Sequence, residues 1–458
     1  MDTDSGCLSI VIVGAGPAGF YAADALLRKP SACRIDIVDR LPTPFGLVRS
    51  GVAPDHQSTK NVIRLYDRIL QHDAVRLLGN VELGADVAYG ELKRLYDVVV
   101  LAFGAQVPRQ LGVLGESLEG VVDSVSFVNW YNAVPDALDL SADVSGARAA
   151  VVVGNGNVAL DIARLLAKTP AELAEGDIDP EAARAIAGAP LTDIYVVGRR
   201  GPLQASFTSP ELAELGELAE AVPVVDAADL PESAASVPAA ERPKKEKNLR
   251  ILREFADADG AADPRPVKVR FVFAASPDEI LGEDHVRGVR FERNRIEGAR
   301  ALPTGETFEV AAQLCVTAIG YRASGGGDGP PIDERRGIVA NADGRVEPGV
   351  YAVGWARRGP TGVIGTNRND AREVVDAIVA EVEPGAKPGP AGLDALLAGR
   401  GVRVVDYQGW LRIDAAEVAA AGGDPKRPRV KLARVEDLLR AAEADAGAKR
   451  STAGKAAG

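Results

Sequence analysis

The chain has 458 residues, of which 46% are hydrophobic and 26% charged, the balance of a soluble globular enzyme of two or three domains. Its formal net charge of −12 argues against a nucleic-acid binder, which would carry a basic excess. The three cysteines, Cys7, Cys33 and Cys315, form no CxxC pair and encode no disulfide framework, zinc site or iron–sulfur site, a usage that suits the reducing cytoplasm.

The N-terminus carries acids where a signal peptide would carry basic residues, and its apolar run leads directly into a glycine turn. No stretch reads as a membrane span. Leu8 to Val13 reads as a buried parallel strand that ends in Gly14-x-Gly16-x-x-Gly19. A helix follows to Leu27, and a second strand, Arg34–Val38, ends at Asp39. Glycines at this spacing permit a tight turn and a close approach of a pyrophosphate to the helix N-terminus, and an acid after the second strand accepts hydrogen bonds from a ribose. The glycines alone are weak evidence; their place between a strand and a helix, with the acid where it belongs, is the stronger signal.

A constrained loop spans Pro42 to Pro54, and Asp55 or Ser58 is expected to open a helix whose apolar face is Val62, Ile63, Tyr66, Ile69 and Leu70. Tyr96 to Gly104 is a further strand and turn. A second β-turn-α unit starts at Ala149, with the turn Gly154-Asn155-Gly156-Asn157 and a helix from about Val158 to Ala167. After a helical excursion over 170–190, the strand Asp193–Val197 ends in Arg199-Arg200 instead of an acid. Guanidinium groups grip a 2′-phosphate that a carboxylate would repel, so this second turn is expected to prefer NADPH to NADH. Two turns of opposite charge preference imply two nucleotides, most simply FAD and NADPH.

Residues 225–247 read as a polar surface segment, with strands at 267–274 and 286–292 and a turn at Leu314–Gly320. Ser324 to Pro331 reads as a linker, Val350–Gly354 as a last buried strand, and Thr366 as the start of a helix to about Glu381. The loop between them is glycine-rich and aims a helix N-terminus at whatever binds there, with Trp355 placed to pack on a ring. Lys244 to Arg253 carries five positive charges and one negative, either a solvated helix face or a docking patch for an acidic partner. The fold class expected is α/β, two Rossmann-like dinucleotide-binding domains with the NADP domain (106–323) inserted into the FAD domain (1–105 and 324–458), and a frayed tail from about 441.

The sequence resembles the adrenodoxin reductase-like ferredoxin–NADP(+) reductases. The resemblance rests on GAGPAGFYAA at 14–23, PFGLVRSGVAPDH at 44–56, GNGNVALDIAR at 154–164, VGRRGPLQASFTSPEL at 197–212 and VGWARRGPTGVIGTN at 353–367, which fall in family order along nearly the whole chain. It implies FAD contacts at Ala18, Asp39, Leu47, Leu83, Trp355, Gly362, Val363 and Ile364. It implies NADP(H) contacts at Asn155, Gly156, Asn157, Val158, Arg199, Arg200 and Glu211, with Gly362 near the nicotinamide. His56 and Glu214 match the family's pair near the flavin, thought to influence electron transfer. Read alone, a His beside an Asp is more often a helix-start hydrogen bonder.

The resemblance further implies hydride transfer between NADPH and FAD, then single-electron transfer to a separate acidic ferredoxin. That partner is expected to dock near Lys244, Lys245, Lys247, Arg250 and Arg253 of a monomer or weak dimer. Rival readings are an NADPH-dependent flavin oxidase, diaphorase or monooxygenase. A disulfide reductase would need a redox cysteine pair.

Overall fold

Twelve strands build two six-stranded sheets in a computed structural model that describes residues 6–258, 260–325 and 327–444. In chain order they are Leu8–Val13 (β1), Cys33–Asp39 (β2), Val75–Gly79 (β3), Val98–Leu101 (β4), Val121–Asp123 (β5), Ala149–Val153 (β6), Asp193–Val197 (β7), Ala221–Val224 (β8), Val267–Val272 (β9), Leu314–Thr317 (β10), Arg345–Glu347 (β11) and Val350–Ala352 (β12). The first sheet runs β11-β12-β4-β1-β2-β3 and is parallel except at β11, which pairs antiparallel with β12. The second runs β5-β10-β6-β7-β9-β8 and is parallel throughout. Every residue of β1 is buried, which explains why it is apolar but for Ser9, whose hydroxyl donates to Asp97 at 2.8 Å: helices or loops cover both faces of a parallel sheet.

The first sheet is therefore assembled from both ends of the chain, and the second from the middle. The two connections between them run side by side, with Val107–Pro108 pairing antiparallel with Tyr321–Arg322. Five helices position the site: Pro17–Leu27 (α1), Asn157–Leu166 (α2), Ser209–Glu214 (α3), Arg242–Asp257 (α4) and Thr366–Glu381 (α5). A three-stranded antiparallel sheet, 275–311, packs Ile280, Val289 and Phe291 against Val151, Val153 and Cys315 of the second sheet. Its long hairpin turns at Gly298, whose φ of +60° suits glycine.

Three expectations are corrected. The segment after Asp55 forms two short helices, Gln57–Lys60 and Ile63–Leu70, with His56 and not Asp55 or Ser58 at the first cap. Residues 225–247 are not surface throughout, because α4 begins at Arg242 and buries Lys245. The tail does not fray at 441: the helix Val435–Glu443 continues through it, and Leu438, Leu439 and Ala442 join the core of the first sheet with Trp410 and Ile413. The rest of that tail lies outside the described residues.

Buried charges hold the middle of the chain to its ends. Arg49 pairs with Glu417 through two hydrogen bonds of 2.9 and 2.6 Å, and Lys60 meets Asp177 at 2.6 Å. Lys431 Nζ donates to the carbonyls of Arg49 at 3.0 Å and Asn132 at 3.1 Å, and lies 3.3 Å from Asp177. Burial, and then the nearby Lys60 charge, bring its pKa down to about 7.

Candidate functional site: two helix-capped turns and the cleft between them

Each glycine of the first turn has its own reason. Gly14 has a φ of +115°, and a Cβ there would lie 2.6 Å from the Ala102 carbonyl oxygen. A Cβ on Gly19 would stand 2.2 Å from Gly14 O, so α1 packs on the turn only without one. Gly16 has nothing nearer than Gly46 Cα at 3.8 Å, so its missing side chain leaves open space above the start of α1. Gly16 is also the N-cap and supplies no side-chain acceptor, which leaves first-turn N–H groups for a ligand. Asp39 accepts from Ala15 N at 2.7 Å and Leu41 N at 3.0 Å, tying the end of β2 to the turn. Burial raises its pKa against the pull of those two N–H groups. A carboxylate has further lone pairs, so ribose hydroxyls remain within its capacity.

Around this turn stand the other positions expected to face FAD. Leu47 follows Gly46, whose Cβ would come within 2.8 Å of Gly16 Cα, and its side chain is 40% exposed. Leu83 is half-buried against the core that holds Val81 and Phe103. Gly354, at the end of β12, sits over α1: a Cβ on it would lie 2.4 Å from Ala18 Cβ. Trp355 stacks on Tyr321 at 6.2 Å between ring centroids, and its Nε1 donates to Thr361 O at 3.2 Å. Gly362, at φ +81°, leads through Val363 and Ile364 into α5, and Val363 is 65% exposed.

The second turn repeats the geometry with different polar chemistry. A Cβ on Gly154 would lie 2.3 Å from Ala318 O, and α2 again starts from a glycine cap, Gly156, with no side-chain cap. Val158 is half-buried against the core, and Asn157 Oδ1 accepts from Thr208 N at 2.8 Å. Asn155 is different. Both atoms of its amide are buried without a protein partner, and it lies over Gly198, where a Cβ would be 1.7 Å from its Nδ2. Glu211 Oε2 is buried and unpartnered as well. Buried polar atoms left unpaired are costly, so an amide and a carboxylate oxygen orphaned beside a glycine turn fit a polar ligand. Arg199 is exposed and Arg200 half-exposed, and among the described residues neither forms an ion pair with a carboxylate.

His56 and Glu214 are brought together from the two halves of the molecule. His56 follows the constrained loop of the first half; Glu214 ends α3 in the second. Nε2 and Oε2 lie 2.8 Å apart. Behind them stands Arg164 on α2, 2% exposed. Its guanidinium donates to Asp55 at 3.0 and 2.8 Å and to Asp161 at 2.7 Å, and meets Glu214 at 2.9 Å. Lys168 adds a contact to Asp55 at 2.6 Å.

Burial disfavours the Glu214 carboxylate, but its bond to His56 and the Arg164 charge outweigh that and hold its pKa below the ordinary value. Burial works against the His56 imidazolium too, and so does the Arg164 charge, but the hydrogen bond to Glu214 together with the Asp161 and Asp55 charges outweighs them and raises its pKa above the ordinary value. Asp161 is pushed up to about 6 by burial despite Arg164. Asp161 and Arg164 lie within the GNGNVALDIAR segment at 154–164, and the sequence alone assigns them no role. Their i, i+3 spacing on the helix opened by the glycine turn was the available signal; the partners at 55 and 214 come only from folding.

The basic helix α4 departs from expectation at two positions. Lys245 is 8% exposed, its Nζ turned inward to the Ala205 carbonyl, so it is not part of a docking surface. Arg253 is committed to the carbonyls of Pro231 and Glu232, both at 2.7 Å. Lys244, Lys247 and Arg250 are exposed.

Two nucleotide-type sheets, one parallel throughout and one parallel but for its edge strand, each with a glycine-capped helix start, one set beside an acid and the other beside twin arginines, define a two-nucleotide oxidoreductase. Residues 8–216 match the family described as pyridine nucleotide-disulphide oxidoreductase. The chain is 41% identical over 462 residues to the mitochondrial NADPH:adrenodoxin oxidoreductase of Arabidopsis thaliana, covering 95% of each. It is 42% identical over 455 residues to the NADPH-ferredoxin reductase FprA of Mycobacterium tuberculosis, covering 94% of this chain and 98% of the relative. The solved structure of M. tuberculosis FprA in complex with NADPH superposes with a TM-score of 0.88 at 40% identity, covering 95% of this chain and 99% of that one. The chain belongs to the family of NADPH:adrenodoxin oxidoreductases and NADPH-ferredoxin reductases.

Proposed function

We infer that this protein is an FAD-containing ferredoxin–NADP(+) reductase that moves electrons between NADPH and a separate iron–sulfur protein. The observation that carries the reading is the pair of helix-capped turns with opposite charge chemistry, in a chain alike over almost its whole length to an NADPH-ferredoxin reductase. The orphaned Asn155 amide and the open space above Gly16 support a nucleotide at each turn.

In this reading the N–H groups at the start of α1 hold the diphosphate of FAD, and Asp39 orients its ribose. Leu47, Leu83, Trp355, Val363 and Ile364 supply apolar contact for the ring, and the start of α5 offers its N–H groups and partial positive charge. Gly156, Asn157, Val158 and Asn155 hold the NADP(H) diphosphate, Arg199 and Arg200 grip the 2′-phosphate, and Glu211 contributes an acceptor. When bound, the flavin supplies the conversion between two-electron and one-electron transfer that no side chain here performs. His56 and Glu214 keep a shared proton and a fixed charge at the junction of the halves, held there by Arg164. Lys244, Lys247 and Arg250 offer the exposed positive charge on which an acidic ferredoxin would dock.

The test is purification followed by kinetics. The protein should be yellow, bleach on mixing with NADPH, and pass electrons to cytochrome c faster when a ferredoxin is added. A colourless protein that takes up no flavin overturns the reading. Fast NADPH consumption with oxygen alone, indifferent to ferredoxin, would instead mark an oxidase.

A further inference from the structure

We propose that Lys245 is a third cation of the 2′-phosphate site, and that it contributes to the preference for NADPH from beneath Arg199 and Arg200. The inference rests on the assignment of the second turn to NADP(H).

The argument begins with where the ammonium lies. Lys245 shares the buried face of α4 with Asn248, three residues on, and with Leu249 and Leu252. Asn248 Oδ1 accepts from Ser209 Oγ at 2.6 Å, and its Nδ2 donates to Phe207 O at 3.2 Å. Lys245 Nζ donates to Ala205 O, in the same loop. That loop leaves the twin arginines at one end. At Ser206 it bonds back to the nucleotide turn, where Asn155 O accepts from Ser206 N at 2.8 Å and from Ser206 Oγ at 3.1 Å. The ammonium thus sits at the junction of the arginines, the loop 201–206 and the Gly154–Gly156 turn.

The charge balance there is unusual. Among the described residues no carboxylate forms an ion pair with Arg199, Arg200 or Lys245. A buried lysine normally has an acid beside it; this one has a neutral carbonyl. Burial lowers the pKa of Lys245, the Lys244 charge lowers it further, Glu241 opposes them, and Arg200 lowers it again. Three cations without an ion-paired acid, opposed only by the charge of Glu241 and one of them taken out of water, suit an arriving dianion better than the empty fold. A brace for the loop 201–206 would need only a donor to Ala205 O, which a neutral side chain can supply.

That difference sets the experiment. Lys245→Gln keeps a donor and removes the charge; Lys245→Arg keeps the charge; Arg199→Ala/Arg200→Ala tests the parent assignment. Each flavin-loaded protein is titrated at equilibrium with 2′,5′-ADP and with 5′-AMP, which differ in the 2′-phosphate alone. Lys245→Gln should weaken 2′,5′-ADP about ten- to hundredfold, as for loss of a charge-assisted hydrogen bond, and leave 5′-AMP within about twofold. Lys245→Arg should retain most of the 2′,5′-ADP affinity. Unchanged 2′,5′-ADP binding in Lys245→Gln, or equal weakening of both ligands, reduces Lys245 to a brace and overturns the proposal. If the double arginine variant also keeps its discrimination, the assignment of the site fails and the proposal with it. If only the double variant loses discrimination, the site stands and the role of Lys245 alone is refuted. Should Lys245→Gln fail to fold, loss of 2′,5′-ADP discrimination in Lys245→Arg overturns the proposal, and its retention supports it.

Discussion

Replacing Arg164 by Met should be among the most damaging single changes in the cleft, and its cost should depend on pH in a direction the structure fixes. The guanidinium is 2% exposed and serves three carboxylates, Asp55, Asp161 and Glu214. Removing one partner from a buried ion pair costs about 3–5 kcal/mol, because the remaining charge is left uncompensated. The three acids do not share that cost equally. Asp55 keeps Lys168 at 2.6 Å and Glu214 keeps His56 at 2.8 Å, whereas Asp161 has Arg164 as its hydrogen-bonding side chain. The penalty therefore concentrates on Asp161, which can escape it by taking up a proton. Its pKa in the fold is already about 6 and rises further without Arg164, so ionisation costs stability as pH increases and the cost disappears on acidification. Thermal melts followed by flavin fluorescence should fall by roughly 6–20 °C at pH 8 and by distinctly less at pH 5.5. Arg164→Met combined with Asp161→Asn should recover part of the loss at pH 8. An unchanged melting temperature, or a drop equal at both pH values and untouched by the second substitution, would refute the reasoning.

Other perturbations probe neighbouring links. Asp161→Asn alone should raise the melting temperature by a few degrees at pH 8, by less at pH 5 and not at all below 3.8, because the acid is raised from 3.8 in the unfolded chain to about 6 in the fold and its cost fades across that window; destabilisation at pH 8 would contradict this. His56 and Glu214 move oppositely: the His56 contribution is full below 6.5 and lost as pH rises through its raised value, and the Glu214 contribution is full above 4.5 and lost as pH falls through its lowered value. His56→Gln should accordingly abolish an alkaline limb above pH 6.5 in NADPH-driven ferredoxin reduction while FAD content, read by absorbance, stays at one per chain; a limb that survives assigns it elsewhere. Gly19→Val would place a side chain 2.2 Å from Gly14 O, so it should cost about 1–3 kcal/mol and release FAD, measured as flavin per protein after gel filtration. Full retention would mean that the turn relaxes without effect on the pocket.

The local part of this architecture is written in the chain and the long-range part is not. The apolar run that ends at Ile10–Val13, the glycine turns and the acid or arginines that follow the next strand are local in sequence, so apolar pattern and turn chemistry reveal them. The strand Asp193–Val197 and the helix Thr366–Glu381 fall where the pattern puts them. What escapes is pairing across large separations. Arg164 reads as a polar residue of an amphipathic helix until Asp55 is folded against it from 109 residues away. Lys245 reads as one cation in a solvated run, since helical spacing alone does not say which face α4 buries when charges lie on both. The split of 57–70 into two helices falls at Asn61–Val62, where Asn61 and Val62 are both weak helix formers, so propensity marks the break that the apolar spacing Val62, Ile63, Tyr66, Ile69, Leu70 runs across.

The placement of the thiols bears on how electrons leave. Cys33 opens β2 and Cys7 precedes β1, and the two parallel strands bring them to one end of the sheet. The glycine turn follows β1 at the other end, roughly 16 Å along the strand. Burial, followed by the neighbouring Cys7, pushes the Cys33 thiol up to about 11, and burial pushes Cys315 up to about 12, so both are kept from the thiolate form that attacks or accepts. Among the described residues no two cysteines stand beside the glycine turn, so the dithiol relay of a disulphide reductase is not built here. The relatives pass electrons to ferredoxin or adrenodoxin, separate proteins, so a ferredoxin-dependence that falls when Lys244, Lys247 and Arg250 are neutralised, with NADPH-driven flavin bleaching unchanged, is the outcome expected if the exposed cations of α4 receive that carrier.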